Sequence, residues 1–120
     1  MKEIKIKKIY DEPSDDDGYR VLVDRLWPRG ISKKAASLDE WNKEISPSTE
    51  LRKWFDHKKT RFEEFSLLYR EELKDKEDAL NELRKIAKNE TLSLLYAAKS
   101  PEINHAIVLK DVLLKDRFRK

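Results

Sequence analysis

The sequence predicts an α/β domain: a small, mainly parallel sheet of three to four strands flanked by helices. Three observations carry that reading. Two apolar runs bounded by polar residues, Val21-Leu22-Val23 and Thr91 to Ala97, have the length and composition of buried strands. Between them, residues 37–89 carry apolar side chains at helical spacing almost without a break. The order strand, strand, helical block, strand, helix asks for one sheet with helices packed on it. At 120 residues the chain reads as one domain, residues 1–120, with enough length for a core that needs no staples.

The first expected strand runs from Glu3 to Tyr10, with Ile4, Ile6 and then Ile9 set against Lys5, Lys7 and Lys8. Its period of two breaks at Lys7-Lys8, and its lysines suit a sheet edge. The segment DEPSDDDG, ending at Gly18, is turn-forming and short for a helical crossover. A hairpin and a parallel crossing between the first two strands both stay open. The second strand spans Tyr19 to Leu26, most securely Arg20 to Asp24, before Pro28 and Gly30. In the helical block, Ser37 and Glu40 form a capping box ahead of Leu38, Trp41 and Ile45. Pro47 ends that helix, and Ser46 or Ser48 caps the next, where Leu51, Trp54 and Phe55 share a face. Thr60 and Glu63 suggest a second capping box for the helix carrying Phe62, Phe65, Tyr69 and Leu73. A break near residues 74–76 precedes a fourth helix with Ala79, Leu80, Leu83, Ile86 and Ala87, and Asn89 suits a left-handed stop. Beyond the last strand, Asn104 caps a final helix with Ile107, Val108, Leu109, Val112 and Leu113; a strand at His105 to Leu109 is the alternative.

Composition excludes several chemistries. There is no cysteine, so disulfides, zinc-thiolate sites and thiol nucleophiles are absent, and two histidines do not make a three-histidine zinc centre. With two glycines in all, no glycine-rich phosphate loop or dinucleotide fingerprint is present, and no cofactor or metal is expected. Charged residues make up 42% of the chain, yet the net charge is only +3, a weak field for a nucleic-acid partner. No apolar run approaches the roughly 20 residues of a membrane span, and the first ten residues alternate instead of forming a signal core. A soluble cytoplasmic protein is expected.

The candidate site is the polar end of the second strand, RVLVDRLWPRG, because open α/β sheets take ligands at the carboxyl ends of strands. Adjacency with the strand ending at Ala97 would bring Asp24 to Gly30 against Tyr96 to His105. Arg25 and Arg29 suit bidentate binding of phosphate or carboxylate; the plainer reading is local ion pairs or exposure. His105, in the first turn of the last helix, is the expected acid or base, with Asp24 to orient it; otherwise it is a structural histidine. Trp27 offers a stacking surface, although large aromatics more often serve the core. Tyr96, Lys99 and Asn104 complete the expected ligand-binding set, and His57, at a helix end, ranks lower. The leading expectation is a pocket for a phosphate- or nucleotide-like anion, with metal-independent hydrolysis or transfer if it is catalytic. A nucleic-acid-binding module is the alternative, through Lys5-Lys7-Lys8, Lys33-Lys34, Lys58-Lys59-Arg61 and Arg117-Arg119-Lys120, against 24 interspersed acids. So is a helical interaction module presenting Trp41, Trp54 or Phe55.

The blocks VLVDRLWPRGISK, LDEWNKEISPSTELRKWFDH, FEEFSLLYREEL, TLSLLYAAK and NHAIVL closely resemble the YeaO-like branch of domain of unknown function 488, over nearly the whole chain. The resemblance implies an α/β domain of a bacterial or archaeal cytosol, and no particular reaction. Where the wider superfamily resembles a Cys-His-Arg motif, this chain reads Asn104-His105-Ala106, so only the histidine carries over. The acid that commonly follows the AAK stretch is replaced by Ser100.

Overall fold

Four parallel strands form one sheet in the spatial order β1-β4-β2-β3, in a computed structural model that describes residues 3–116. The strands are β1 (Ile4–Lys8), β2 (Tyr19–Leu22), β3 (Glu40–Trp41) and β4 (Leu92–Tyr96). The open choice between hairpin and crossing resolves as a parallel crossing: β1 and β2 run parallel in the sheet, with β4 between them. β4 lies between β1 and β2 and pairs with both, aligning Lys5 and Arg20 with Ser93 and Lys7 and Leu22 with Leu95. Fully buried on both faces, β4 is the sheet's centre, as its near-continuous apolar sequence requires.

Pleating divides these strands into two unequal faces. Ile4, Val21, Val23, Leu92, Leu94 and Tyr96 pack against α2 (Thr49–Phe55), α3 (Phe62–Leu73), α4 (Glu77–Asn89) and α5 (His105–Asp116). The opposite face is thin: Ile9, Leu22, Leu95 and Ala36 form a small second cluster with Trp27, Ile31, Leu38 and Trp41 beside it. This explains the broken alternation of the first strand. Ile4 and Ile6 face the helices, whereas Ile9, beyond the strand's end, belongs to the other face.

The thin face is closed by charge. Asp17, in a 3₁₀ turn over Asp15–Asp17, is buried and accepts from Lys7 Nζ at 3.0 Å and Arg20 Nη1 at 2.5 Å. The other arms of the Arg20 guanidinium donate to Ser37 O at 3.0 Å and Ala36 O at 2.7 Å, the last carbonyls of α1 (Lys33–Ala36). A cation there meets the negative end of the helix as well as the carboxylate. Ser93 Oγ donates to Asp17 O, so the cluster is tied to the central strand too. Gly18 fits beneath it because it has no side chain: a Cβ would stand 2.1 Å from Thr91 O, at a φ of +64°.

The helical block needs correction at its start. Residues 37–45 are not a helix: Ser37 adopts a left-handed conformation at the end of α1, and Glu40-Trp41 pairs with Val21-Leu22 as β3. The sheet edge offered Trp41 a backbone partner and an apolar cluster at once, and that outweighed a capping pattern worth about 1 kcal/mol. Ser48, not Ser46, caps α2. No side-chain cap from Thr60 forms, since a 3₁₀ turn over Lys59–Arg61 leads directly into α3. The break at Lys74–Lys76 is a 3₁₀ turn, and α4 ends in extended backbone at Glu90 instead of a left-handed stop at Asn89. The final helix begins at His105 with Asn104 Oδ1 accepting from Ile107 N.

Burial would raise the Asp17 pKa, but the bonds from Lys7, the Ser14 amide and Arg20 outweigh it and hold it below the ordinary 3.8. Its contribution to stability is therefore complete above the ordinary value and is lost as pH falls through the lowered one. Asp17→Asn is expected to cost about 3–5 kcal/mol in urea denaturation at neutral pH. The same variant is expected to lose less stability than wild type below pH ~4. Parallel acid limbs in the two proteins would count against this role.

Candidate functional site

The site begins where the β2–β4 ladder changes partners. Tyr19 N donates to Thr91 O and Val23 N to Leu95 O, so a regular parallel ladder would next send Ala97 N to Val23 O. Instead Ala97 N donates to Asp24 Oδ2 at 2.9 Å. The displaced carbonyl of Val23 accepts from Ser46 Oγ at 2.8 Å and from His105 Nε2 at 2.7 Å. His105 Nε2 also lies 2.9 Å from Asp24 Oδ1. A carbonyl only accepts, so Nε2 carries the ring proton and the neutral ring has its lone pair on Nδ1. Nδ1 has no protein partner, and no buried side-chain nitrogen or oxygen among the described residues lacks one. It is therefore the ring atom open to solvent.

Beside this arrangement lies a cavity of about 220 Å³. Asp24, Arg25, Trp27, Asn104 and His105 line it from the strand ends, as the sequence suggested. Arg29, Tyr96 and Lys99 do not. Arg29 is exposed and its carbonyl accepts from Tyr10 Oη; Lys99 is exposed; Tyr96 is buried in the main core, where burial and then Asp11 raise its phenol pKa. Trp27 is held by Nε1 donating to Ile31 O at 2.8 Å, edge-on to Trp41 at 5.3 Å. Asn104 is buried and spent on helix capping and on Ser100 O.

Four residues that sequence reasoning missed or ranked low complete the wall: Arg52, Phe55, Phe65 and His57. Arg52 and Phe55 sit three apart on α2 and so share a face. Phe55 stacks on Phe65 at 4.2 Å. Asp56 and His57 both adopt positive φ, turning the chain so that the His57 ring lies 6.2 Å from Phe55. The available signal was the SPSTELRKWF block; what it lacked was a reason for α2 to meet the end of β2. That reason is Arg25, whose Nε and Nη2 donate to Pro47 O and Ser46 O at 2.9 and 3.1 Å.

Chemically, the lining holds two guanidiniums, and among the described residues neither is paired with a carboxylate. Its one carboxylate, Asp24, is committed to Ala97 and His105. No serine, threonine, tyrosine or lysine lines it, so it offers no ordinary nucleophile for covalent catalysis. The basic clusters proposed for nucleic acid do not converge there. Lys5 and Lys7 serve Asp17, Arg61 lies over the Trp54 ring and donates to its carbonyl, and Arg117-Arg119-Lys120 falls outside the described residues. Trp41 and Trp54 are half-buried and Phe55 is buried, so they form no exposed stripe.

The family model described as "Inactive DUF488-N3 subclade" matches residues 3–120. "Uncharacterized protein YeaO" of Escherichia coli (strain K12) is 51% identical over 110 residues, 92% of this chain and 96% of that protein. Uncharacterized proteins of Mycobacterium bovis and Mycobacterium tuberculosis are each 41% identical over 110 residues, 92% of either chain. No solved structure matches. Among the described residues no helix is long and apolar enough to cross a membrane.

The tautomer is directly measurable. At about pH 8, above the ordinary histidine range, long-range ¹H–¹⁵N NMR is expected to find the His105 ring proton on Nε2, and Asp24→Asn is expected to lower stability by about 1.5–3 kcal/mol. An Nδ1–H tautomer would mean that the ring is not held by Val23 O.

Proposed function

From the premise that this chain belongs to the inactive DUF488-N3 subclade, we propose that it binds a small anionic ligand in the Asp24–His105 cavity without transforming it. The observation that carries this reading is the pair Arg25 and Arg52. Two guanidiniums without a carboxylate partner among the described residues face a mostly apolar cavity whose own carboxylate is already engaged. Arg25 donates to two backbone carbonyls and forms no ion pair among the described residues, so its charge is not cancelled by a bonded carboxylate. A guanidinium fork and an anion satisfy one another's hydrogen bonds, and low-dielectric walls strengthen the attraction. The cavity lies below the roughly 300–1,000 Å³ of sites for drug-sized molecules, which favours a metabolite of modest size.

Binding without turnover is the better half of the earlier hydrolase-or-transferase expectation. Asp24 and Val23 O secure His105 through Nε2, leaving Nδ1 as the one ring position able to take a proton. The lining has no serine, threonine, tyrosine or lysine, and with Asp24 engaged, His105 Nδ1 is the group placed to act as a base. The subclade's description as inactive agrees with a pocket that has kept recognition and lost chemistry.

The test is titration calorimetry with benzoate, phenyl phosphate and benzenesulfonate, compared with neutral benzamide. At least one anion is expected to bind more tightly than benzamide, and Arg52→Ala is expected to weaken it about ten-fold. Arg52 is exposed and its side chain makes no hydrogen bond or ion pair among the described residues, so the variant is expected to keep its fold. Equal binding of benzamide, or an unaffected Arg52→Ala, would remove the basis for an anion site.

A further inference from the structure

We propose that the anionic group is a carboxylate carried on a flat apolar body, a reading that rests on the anion pocket above and names its ligand class. Three features of the cavity distinguish this ligand from a phosphate ester. The first is the donor set. Phosphate sites draw on backbone N–H groups brought close by glycine, yet neither glycine lines this cavity. The nearby loop and cap amides are also committed: Ala97 to Asp24, Glu102 and Ile103 to Ser100, Ile107 to Asn104 and Leu51 to Ser48. The charged donor of the lining is guanidinium, whose planar fork matches the two oxygens of a carboxylate.

The second feature is charge balance. Arg25 and Arg52 contribute two positive charges and Asp24 one negative, a sum of +1 with both histidines neutral. A monoanion cancels that charge. A phosphate ester, carrying about −1.5 to −2 near neutral pH, would overshoot it beside the Asp24 carboxylate. The third is the wall: Phe55 and Phe65, stacked at 4.2 Å, line the cavity together with Leu26, Pro28 and Pro47. Rings and prolines present broad rigid faces, and a flat ligand buries most apolar area against such faces.

The experiment compares benzoate, phenyl phosphate and acetate on the full chain at about pH 8, above the ordinary histidine range. Calorimetry gives affinity, and amide NMR shifts at Phe55, Ala97 and Ala98 give location. Benzoate is expected to bind at least ten-fold tighter than either competitor, shifting those amides, and to lose about ten-fold in Arg52→Ala. Phenyl phosphate binding as tightly as benzoate or tighter would overturn the carboxylate assignment and leave the anion site standing. Acetate matching benzoate would overturn the flat apolar body. Absence of binding by all three, or binding indifferent to Arg52→Ala, would remove the anion site itself.

Discussion

The transfer of the Ala97 amide from the carbonyl of Val23 to the carboxylate of Asp24 is the interaction on which the site depends. A parallel ladder that continued regularly would have consumed Val23 O and left Asp24 as one more polar residue at a strand end. The exchange ends β-pairing without leaving a buried amide unsatisfied, which would cost about 1–3 kcal/mol. It also releases a carbonyl that two distant segments use, through Ser46 ahead of α2 and His105 at the start of α5. One missing ladder bond thereby anchors both helical walls of the cavity. Arg25 repeats the device one residue later by holding Ser46 O and Pro47 O.

Helices α2 to α5 cover one face of the sheet, whereas the other carries only the four-residue α1 and so required a different closure. A 120-residue chain with 38% apolar residues has few large side chains left after the helical side is filled. The structure uses Arg20 and Asp17 there, both buried, with the guanidinium satisfied by a carboxylate and two helix-end carbonyls. Such a cluster contributes geometry more than net energy, since desolvation offsets most of the attraction. Its geometry is what matters here: it joins the Asp15–Asp17 turn, α1 and β2, and so fixes how β2 enters the site.

The strands were legible because burial on both faces leaves a continuous apolar run, and the last helix because Asn104 precedes a long apolar face. Asp24 and His105 were legible as neighbours because parallel strands place their carboxyl ends together. The first part of the helical block was not. Leu38, Trp41 and Ile45 keep helical spacing, yet two residues of pairing with β2 decided their backbone, and that partner is nineteen residues away in sequence. Arg20 and Asp17 were invisible for a related reason: a charged residue's burial depends on partners, and Lys7 and the pair Ala36-Ser37 come from two separate segments. Arg52 and His57 were underrated because nothing local says which way α2 faces.

The hydrogen bonds that build this site also limit what it can do. Asp24 has given one oxygen to Ala97 and the other to His105, Asn104 is used for capping, and the Trp27 indole is tied to Ile31. A catalytic centre keeps at least one reactive group unsatisfied until substrate arrives, and among the described residues the lining side chains with capacity to spare are His105 at Nδ1, His57 and the two guanidiniums. Three of those four groups are donors or cations when they meet an anion, and none is a nucleophile of the usual kind. Rigid preorganisation of this sort lowers the entropic cost of holding a ligand. Under the proposed reading the same residues serve as the walls of a binding pocket, held in place before any ligand arrives.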